Sequence, residues 1–144
     1  MSTVTEELRR SMGNSPYEQR LGFRLLELSK GYAKVAVTLG PEHTNFLGMI
    51  DGGLVMSLAD YAFACSGNTF GQVRVAVQFS TNFISAPALK GELIAEGKTI
   101  HAGRTMALTE ITVIDATGRL IAKATGTGIT KQNNNLKSGE SKVT

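Results

Sequence analysis

Between residues 33 and 39 the chain alternates, with Ala33, Val35, Val37 and Leu39 on one side and Lys34, Ala36 and Thr38 on the other. A two-residue period marks a half-buried strand. Residues 23–28 form a second strand, joined to it by a tight turn at Lys30-Gly31. The period then changes. Over 54–65, Leu54, Leu58, Tyr61 and Cys65 make one helical stripe, with Val55, Met56, Ala59, Ala62 and Phe63 beside it. A helix apolar on nearly every side is predicted to be buried. Four strands follow, at roughly 73–84, 92–101, 104–115 and 119–130. In the first, Val73, Val75, Val77, Phe79, Thr81 and Phe83 are expected to share a face. Ala102-Gly103 and Ala116-Thr117-Gly118 are turn signals that make antiparallel hairpins.

Ahead of the strands, 3–12 reads as a short helix, with Glu6 and Glu7 near its start and Arg9 and Arg10 near its end, as the helix dipole prefers. Gly13-Asn14-Ser15-Pro16 stops it, and 16–21 forms a second helical turn. Residues 40–48 are a loop leading into the central helix. The order β-β-α-β-β-β-β predicts an α+β fold, one long helix against an antiparallel sheet. The polar stretch 131–144 is expected to be a disordered tail, leaving a single domain over 1–130.

Composition narrows the function classes. A chain of 144 residues suits one domain with a real core. No apolar run reaches the roughly 18 residues of a membrane span. The N-terminal stretch is polar and lacks the apolar core of a signal peptide. The single cysteine, Cys65, forms no internal disulfide and fits a reducing compartment, so a cytoplasmic location is expected. Net charge is +3, with no basic run longer than Arg9-Arg10 and no basic residues interleaved with aromatics. That argues against nucleic acid as a partner. It fits a small ligand bearing phosphate.

Candidate chemistry centres on Asp60, the only charged residue between Asp51 and Arg74. A carboxylate buried in an apolar helix costs several kcal/mol unless paired. Asp60 is therefore either bonded to a core partner or held there for function. Asp51-Gly52-Gly53 precedes the helix. It reads as a capped helix start. Equally, the first helical N–H groups lack partners and sit at the positive end of the dipole, suited to an anion or a developing oxyanion. Glycines there let a carbonyl approach the backbone. Gly52 and Asp60 lie eight residues apart, roughly 12 Å along a helix. One helix cannot bring both onto one carbon, whereas two antiparallel copies could, so a shared site in a dimer is expected. Gly53, Ser57, Asp60, Ala64 and Gly67 form a small or polar strip along the helix.

Other patterns carry less. His43 and His101 have no partners at metal-ligand spacing, so no metal is expected. Cys65 lies in the apolar stripe and reads as core. Residues 91–99 (GELIAEGKT) have the wrong glycine spacing for a phosphate loop, and no serine sits in a GxSxG elbow. Gly103-Arg104-Thr105 is a turn whose arginine could reach a nucleotide phosphate.

At these residues the chain resembles the hotdog-fold acyl-CoA thioesterases of the phenylacetate-degradation type. The family pattern is Asn, two residues, Gly, two residues, His-Gly-Gly, then Leu-Ala-Asp on the helix. Here it stands as Asn45-Phe46-Leu47-Gly48-Met49-Ile50-Asp51-Gly52-Gly53, then Leu58-Ala59-Asp60. The likeness extends from Ser15-Pro16-Tyr17 to the last hairpins, about 15 to 130. It implies a sheet wrapped around the helix, homodimers and often homotetramers, and thioester hydrolysis without metal or cofactor. It implies Asp60 as nucleophile or general base, the Gly52 amide of the partner subunit as oxyanion donor, and Asn45 as a positioning group. Gly48, Gly53, Arg104 and Phe83 would contact the acyl-CoA substrate. One departure stands out: Asp51 occupies the place of the family's histidine, putting a carboxylate beside the oxyanion. It leaves a second reading open, a non-catalytic protein that binds acyl-CoA or another thioester. A hydratase of the same fold is less favoured, because those place a histidine on the helix and this helix has none. At the third-strand position where relatives carry a supporting hydroxyl, Ala76 is expected, with Gln78 or Ser80 in a shifted register.

Overall fold

The fold is seen in a computed structural model that describes residues 4–131. Two short helices lead in, α1 (Glu6–Gly13) and α2 (Pro16–Leu21). Thr5 caps α1 by accepting the Leu8 N–H at 3.0 Å, and Gly22 ends α2 in the left-handed region at φ 80°. The strands are β1 (Phe23–Ser29), β2 (Tyr32–Leu39), β3 (Arg74–Phe83), β4 (Gly91–Ala102), β5 (Met106–Ile114) and β6 (Leu120–Thr130). The long helix, α3 (Gly52–Gly67), falls between β2 and β3. The α+β expectation holds, with every predicted element present. The tail expected over 131–144 lies, beyond Lys131, outside the described residues.

All strands pair antiparallel in one six-stranded sheet of order β1-β2-β4-β5-β6-β3. The sequence predicts hairpins but not that β3 crosses to the far edge beside β6. Leu58 of α3 is fully buried against Val35, Val37, Leu93, Ile111, Val113 and Ile121 from the sheet. At Gly97 on β4 the helix rests almost directly on strand backbone, for an added Cβ would lie 2.6 Å from the Ala62 carbonyl oxygen. The last hairpin is tied by Asp115, whose Oδ1 accepts the Thr117 and Arg119 N–H groups at 2.9 and 3.1 Å. With the Thr117 hydroxyl and the Ala88 N–H also donating, its pKa is held below the ordinary carboxylate value.

Two expectations are corrected. First, α3 is not enclosed on every side. The sheet covers only part of its circumference, and Gly53, Met56, Asp60 and Ala64 are exposed, with Ser57 half-buried among them. These positions form one stripe at helical spacing. Second, β3 does not keep one face. Its register shifts between Ala76 and Gln78, leaving Val77 as an extra residue. A single inserted residue reverses the alternation beyond it. Arg74 and Ala76 therefore share the helix side with Phe79 and Phe83, while Val75 and Val77 are exposed. No helix among the described residues is long and apolar enough to cross a membrane.

Candidate active site

The N-terminus of α3 is built by Asp51. Its backbone sits at φ −64° and ψ 134°, its Oδ1 accepts the Gly53 N–H at 2.7 Å, and its carbonyl accepts from Leu54 at 3.1 Å and Val55 at 3.4 Å. Of the first four helical N–H groups, only that of Gly52 has no partner among the described residues. A free donor at the positive end of a helix is a place for negative charge. The Phe83 ring lies beside it, 3.5 Å from where a Cβ on Gly52 would stand. A Cβ on Gly53 would lie 2.8 Å from Asp51 Oδ1, so a larger residue there would shift the capping carboxylate.

The preceding loop is stitched by Asn45. Its Oδ1 accepts the Leu47 N–H at 2.9 Å and the Met49 N–H at 3.3 Å, and its carbonyl accepts from Gly48 at 2.9 Å. Gly48 turns the chain at φ 74°. Of the Asn45 side chain, only the amide nitrogen is left for another partner. His43 is committed too: Nδ1 accepts the Gly40 N–H at 3.0 Å, so the proton sits on Nε2 and faces the Leu21 carbonyl at 3.0 Å.

Asp60 lies two turns along α3, in the open stripe. The expectation of a buried carboxylate is corrected: the residue is exposed, and among the described residues it makes no hydrogen bond or ion pair. The surrounding protein still strips part of its hydration, and Glu18 on α2 adds like charge, so its pKa is raised. Tyr17 of α2 reaches the same stripe, its hydroxyl 3.1 Å from Ser57 Oγ. Beside Asp60 opens a cavity of about 220 Å³ between α3 and the sheet. Phe63, Ala64 and Gly67 line it from the helix, and Arg74, Ala76 and Thr109 from the strands. Of Ala76, Gln78 and Ser80, it is Ala76 that lines this cavity.

The structure thus gathers Gly52, Gly53, Asp51 and Phe83 at one end of α3, with the Asn45–Gly48 loop leading in. Asp60 stands apart on the same helix. Arg104 lies at the opposite end: its carbonyl accepts from Thr130, and its turn abuts Arg74, which follows the helix C-terminus. Arg74 and Tyr17 were not singled out by sequence reasoning. A cation opening an otherwise uncharged strand was the available signal for Arg74. No group of three or more His, Cys, Asp or Glu that could hold a metal occurs among the described residues.

Comparison with known proteins agrees with this fold. Residues 47–122 match the Thioesterase superfamily. The chain is 37% identical over 115 residues to an Archaeoglobus fulgidus protein named "Putative esterase", covering 79% of this chain and 74% of that one. It is 28% identical to human acyl-coenzyme A thioesterase 13, covering 85% and 94%, and 27% identical to Escherichia coli acyl-coenzyme A thioesterase PaaI, covering 76% and 78%. The solved E. coli PaaI structure superposes with a TM-score of 0.81 at 22% identity, covering 87% and 94%. A Streptococcus mutans protein bound to acetyl CoA superposes with a TM-score of 0.72 at 27% identity, covering 76% and 88%. The chain belongs to the thioesterase superfamily, as a hotdog-fold thioesterase of the PaaI-like kind.

Proposed function

We propose that the protein hydrolyses an acyl-CoA thioester to a carboxylic acid and CoA, at a site shared between two antiparallel copies. The observation that carries this reading is a pair of unpaired groups on one helix: the Gly52 N–H at its start and the Asp60 carboxylate roughly 12 Å along it. Each supplies half of what thioester hydrolysis needs. The amide of one copy polarises the carbonyl and holds the negative charge that develops on oxygen. Asp60 of the other copy acts from the carbon side. As general base it takes a proton from water, the oxygen adds to the carbonyl carbon, the C–S bond breaks, and the thiolate regains the proton. As nucleophile it forms an anhydride, releasing CoA, and water then cleaves the anhydride. Both routes need Asp60 ionised. The stripe of Gly53, Ser57 and Ala64 leaves room for a thin substrate, Phe83 flanks the carbonyl, and Asn45 positions it through its free amide nitrogen. Arg104 is exposed and free of ion pairs among the described residues, available to a nucleotide phosphate.

A second reading, a thioester-binding protein without turnover, is favoured by Asp51, whose carboxylate caps the helix beside the Gly52 donor and opposes charge there. A panel of short, medium, long and aromatic acyl-CoAs, with released thiol trapped colorimetrically, separates the two. Hydrolysis is expected, lost by about a thousandfold or more in Asp60→Asn with folding intact. Because the Asp60 pKa is raised, the acid limb of kcat/KM should fall at higher pH than an ordinary carboxylate gives, and it should vanish with the residual activity of Asp60→Asn. Thiol release by Asp60→Asn at the wild-type rate removes Asp60 from the chemistry. Binding without release across the panel establishes the second reading.

A further inference from the structure

Arg74 is an arginine without a counter-ion in the cavity beside Asp60. It is 8% exposed, and among the described residues it forms no ion pair. Its Nη2 donates to the Gly103 carbonyl and, at 3.3 Å, to Gln72 Oε1; its Nε meets Thr130 Oγ1 at 3.3 Å; and its guanidinium lies 5.3 Å from the centre of the Phe70 ring. Nη1 is buried with no partner at all. A buried charge is ordinarily paired, and an unmade hydrogen bond to one is costly. The position is held firmly. Asn68, at the end of α3, accepts the Arg74 N–H at 2.8 Å and donates to the Arg74 carbonyl at 3.2 Å. The lining mixes apolar side chains (Phe63, Ala64, Ala76, Ala107) with polar Asn68 and Thr109, and its one carboxylate, Asp60, forms no ion pair with Arg74.

We propose that Arg74 binds a carboxylate at the far end of the acyl group, so that the preferred substrate is a short ω-carboxyacyl thioester. The inference rests on the thioesterase reading above and names its substrate class. The cavity runs from Asp60 past Ala64 to Gly67 and Asn68, roughly 10–12 Å by helix rise. A five-carbon chain separates carbonyl and carboxylate by about 5 Å and leaves about 3 Å of hydrogen-bond contact at either end. A small turn of the guanidinium lets the carboxylate accept from Nη1, which the protein closes off and leaves unpartnered, and meet the charge that no acidic side chain among the described residues pairs. Methylenes between them lie on Phe63 and the alanines.

The test is the kcat/KM ratio of glutaryl-CoA to valeryl-CoA, equal in acyl length and differing in the terminal group. The wild-type protein should prefer glutaryl-CoA by about tenfold or more. Arg74→Met should bring the ratio to about one or below while valeryl-CoA is still hydrolysed. Equal or reversed preference in the wild type, or an unchanged ratio in Arg74→Met, overturns the proposal. Should Arg74→Met fail to fold, the wild-type ratio decides. Calorimetry of the wild type with non-hydrolysable thioether analogues of both substrates gives a readout independent of turnover. Tighter glutaryl binding with no hydrolysis of either thioester sinks the thioesterase reading and leaves Arg74 standing. Hydrolysis of valeryl-CoA with no glutaryl preference does the reverse.

Discussion

Gly52 allows one hydrogen atom to be removed from the candidate site with little else disturbed. Proline lacks the N–H and is well tolerated at the first position of a helix. The residue before a proline must be extended, and Asp51 already is, at φ −64° and ψ 134°. Gly52→Pro should therefore fold and melt close to wild type while losing about a hundredfold to a thousandfold in kcat, the usual worth of one oxyanion donor. Gly52→Ala, which keeps the N–H and whose Cβ stands at ordinary contact distance from Phe83, should retain most activity. Steady-state kinetics on both variants checks this, and equal activity in the two removes the amide from the mechanism. At this scale the sequence was informative about identity and misleading about environment. Asp60 stood out because no other charge interrupts the stretch from Asp51 to Arg74. Its exposure depends on how far the sheet wraps, which no local pattern encodes. Asp51 was legible as a cap, and the structure shows that this role consumes the Gly53 donor and leaves the Gly52 donor free.

Elements were legible where their period was clean. The helix and the β1–β2 hairpin follow from 3.6- and 2-residue patterns, and each hairpin turn was announced by glycine. β3 was misread because an apolar alternation continues straight through Val75, Val77 and Phe79 even though the strand shifts register between Ala76 and Gln78. An inserted strand residue has no composition of its own, so a valine-rich bulge looks like valine-rich strand. The close seat of α3 on β4 was also hidden. Glycine inside a strand signals a near approach of something, but only the fold shows that at Gly97 it is the Ala62 carbonyl of the helix, with Ser66 Oγ 2.8 Å from an added Cβ. Gly97→Ala must push α3 away from the sheet and disturb the buried Ser66-to-Ala62 bond at 2.8 Å. A loss of about 1–3 kcal/mol is expected, read as a lower denaturant midpoint with unchanged slope.

At the scale of the whole molecule, a single chain ends in an unfinished edge. β3 has a neighbour only on its β6 side, and Val75, Val77 and Phe83 are exposed along it. An open apolar strand edge invites pairing. It also runs antiparallel to α3, from Arg74 beside the helix C-terminus to Phe83 beside Gly52. A second copy paired antiparallel on this edge would bring one chain's Gly52 end toward the other's Asp60. The strand order that creates the edge was not readable from hairpin signals, because β3's place beside β6 is decided by a contact more than forty residues distant in sequence. The shared-site proposal can be tested without an atomic structure of the assembly. Gly52→Pro and Asp60→Asn should each be nearly inactive alone. Unfolded together and refolded as a mixture, they should form pairs in which one site has lost both groups and the other keeps both, an intact Asp60 from one chain facing an intact Gly52 from the other. Random pairing makes half the dimers mixed with one working site each, so activity should return to about a quarter of wild type. A site contained within one chain predicts no recovery at any mixing ratio.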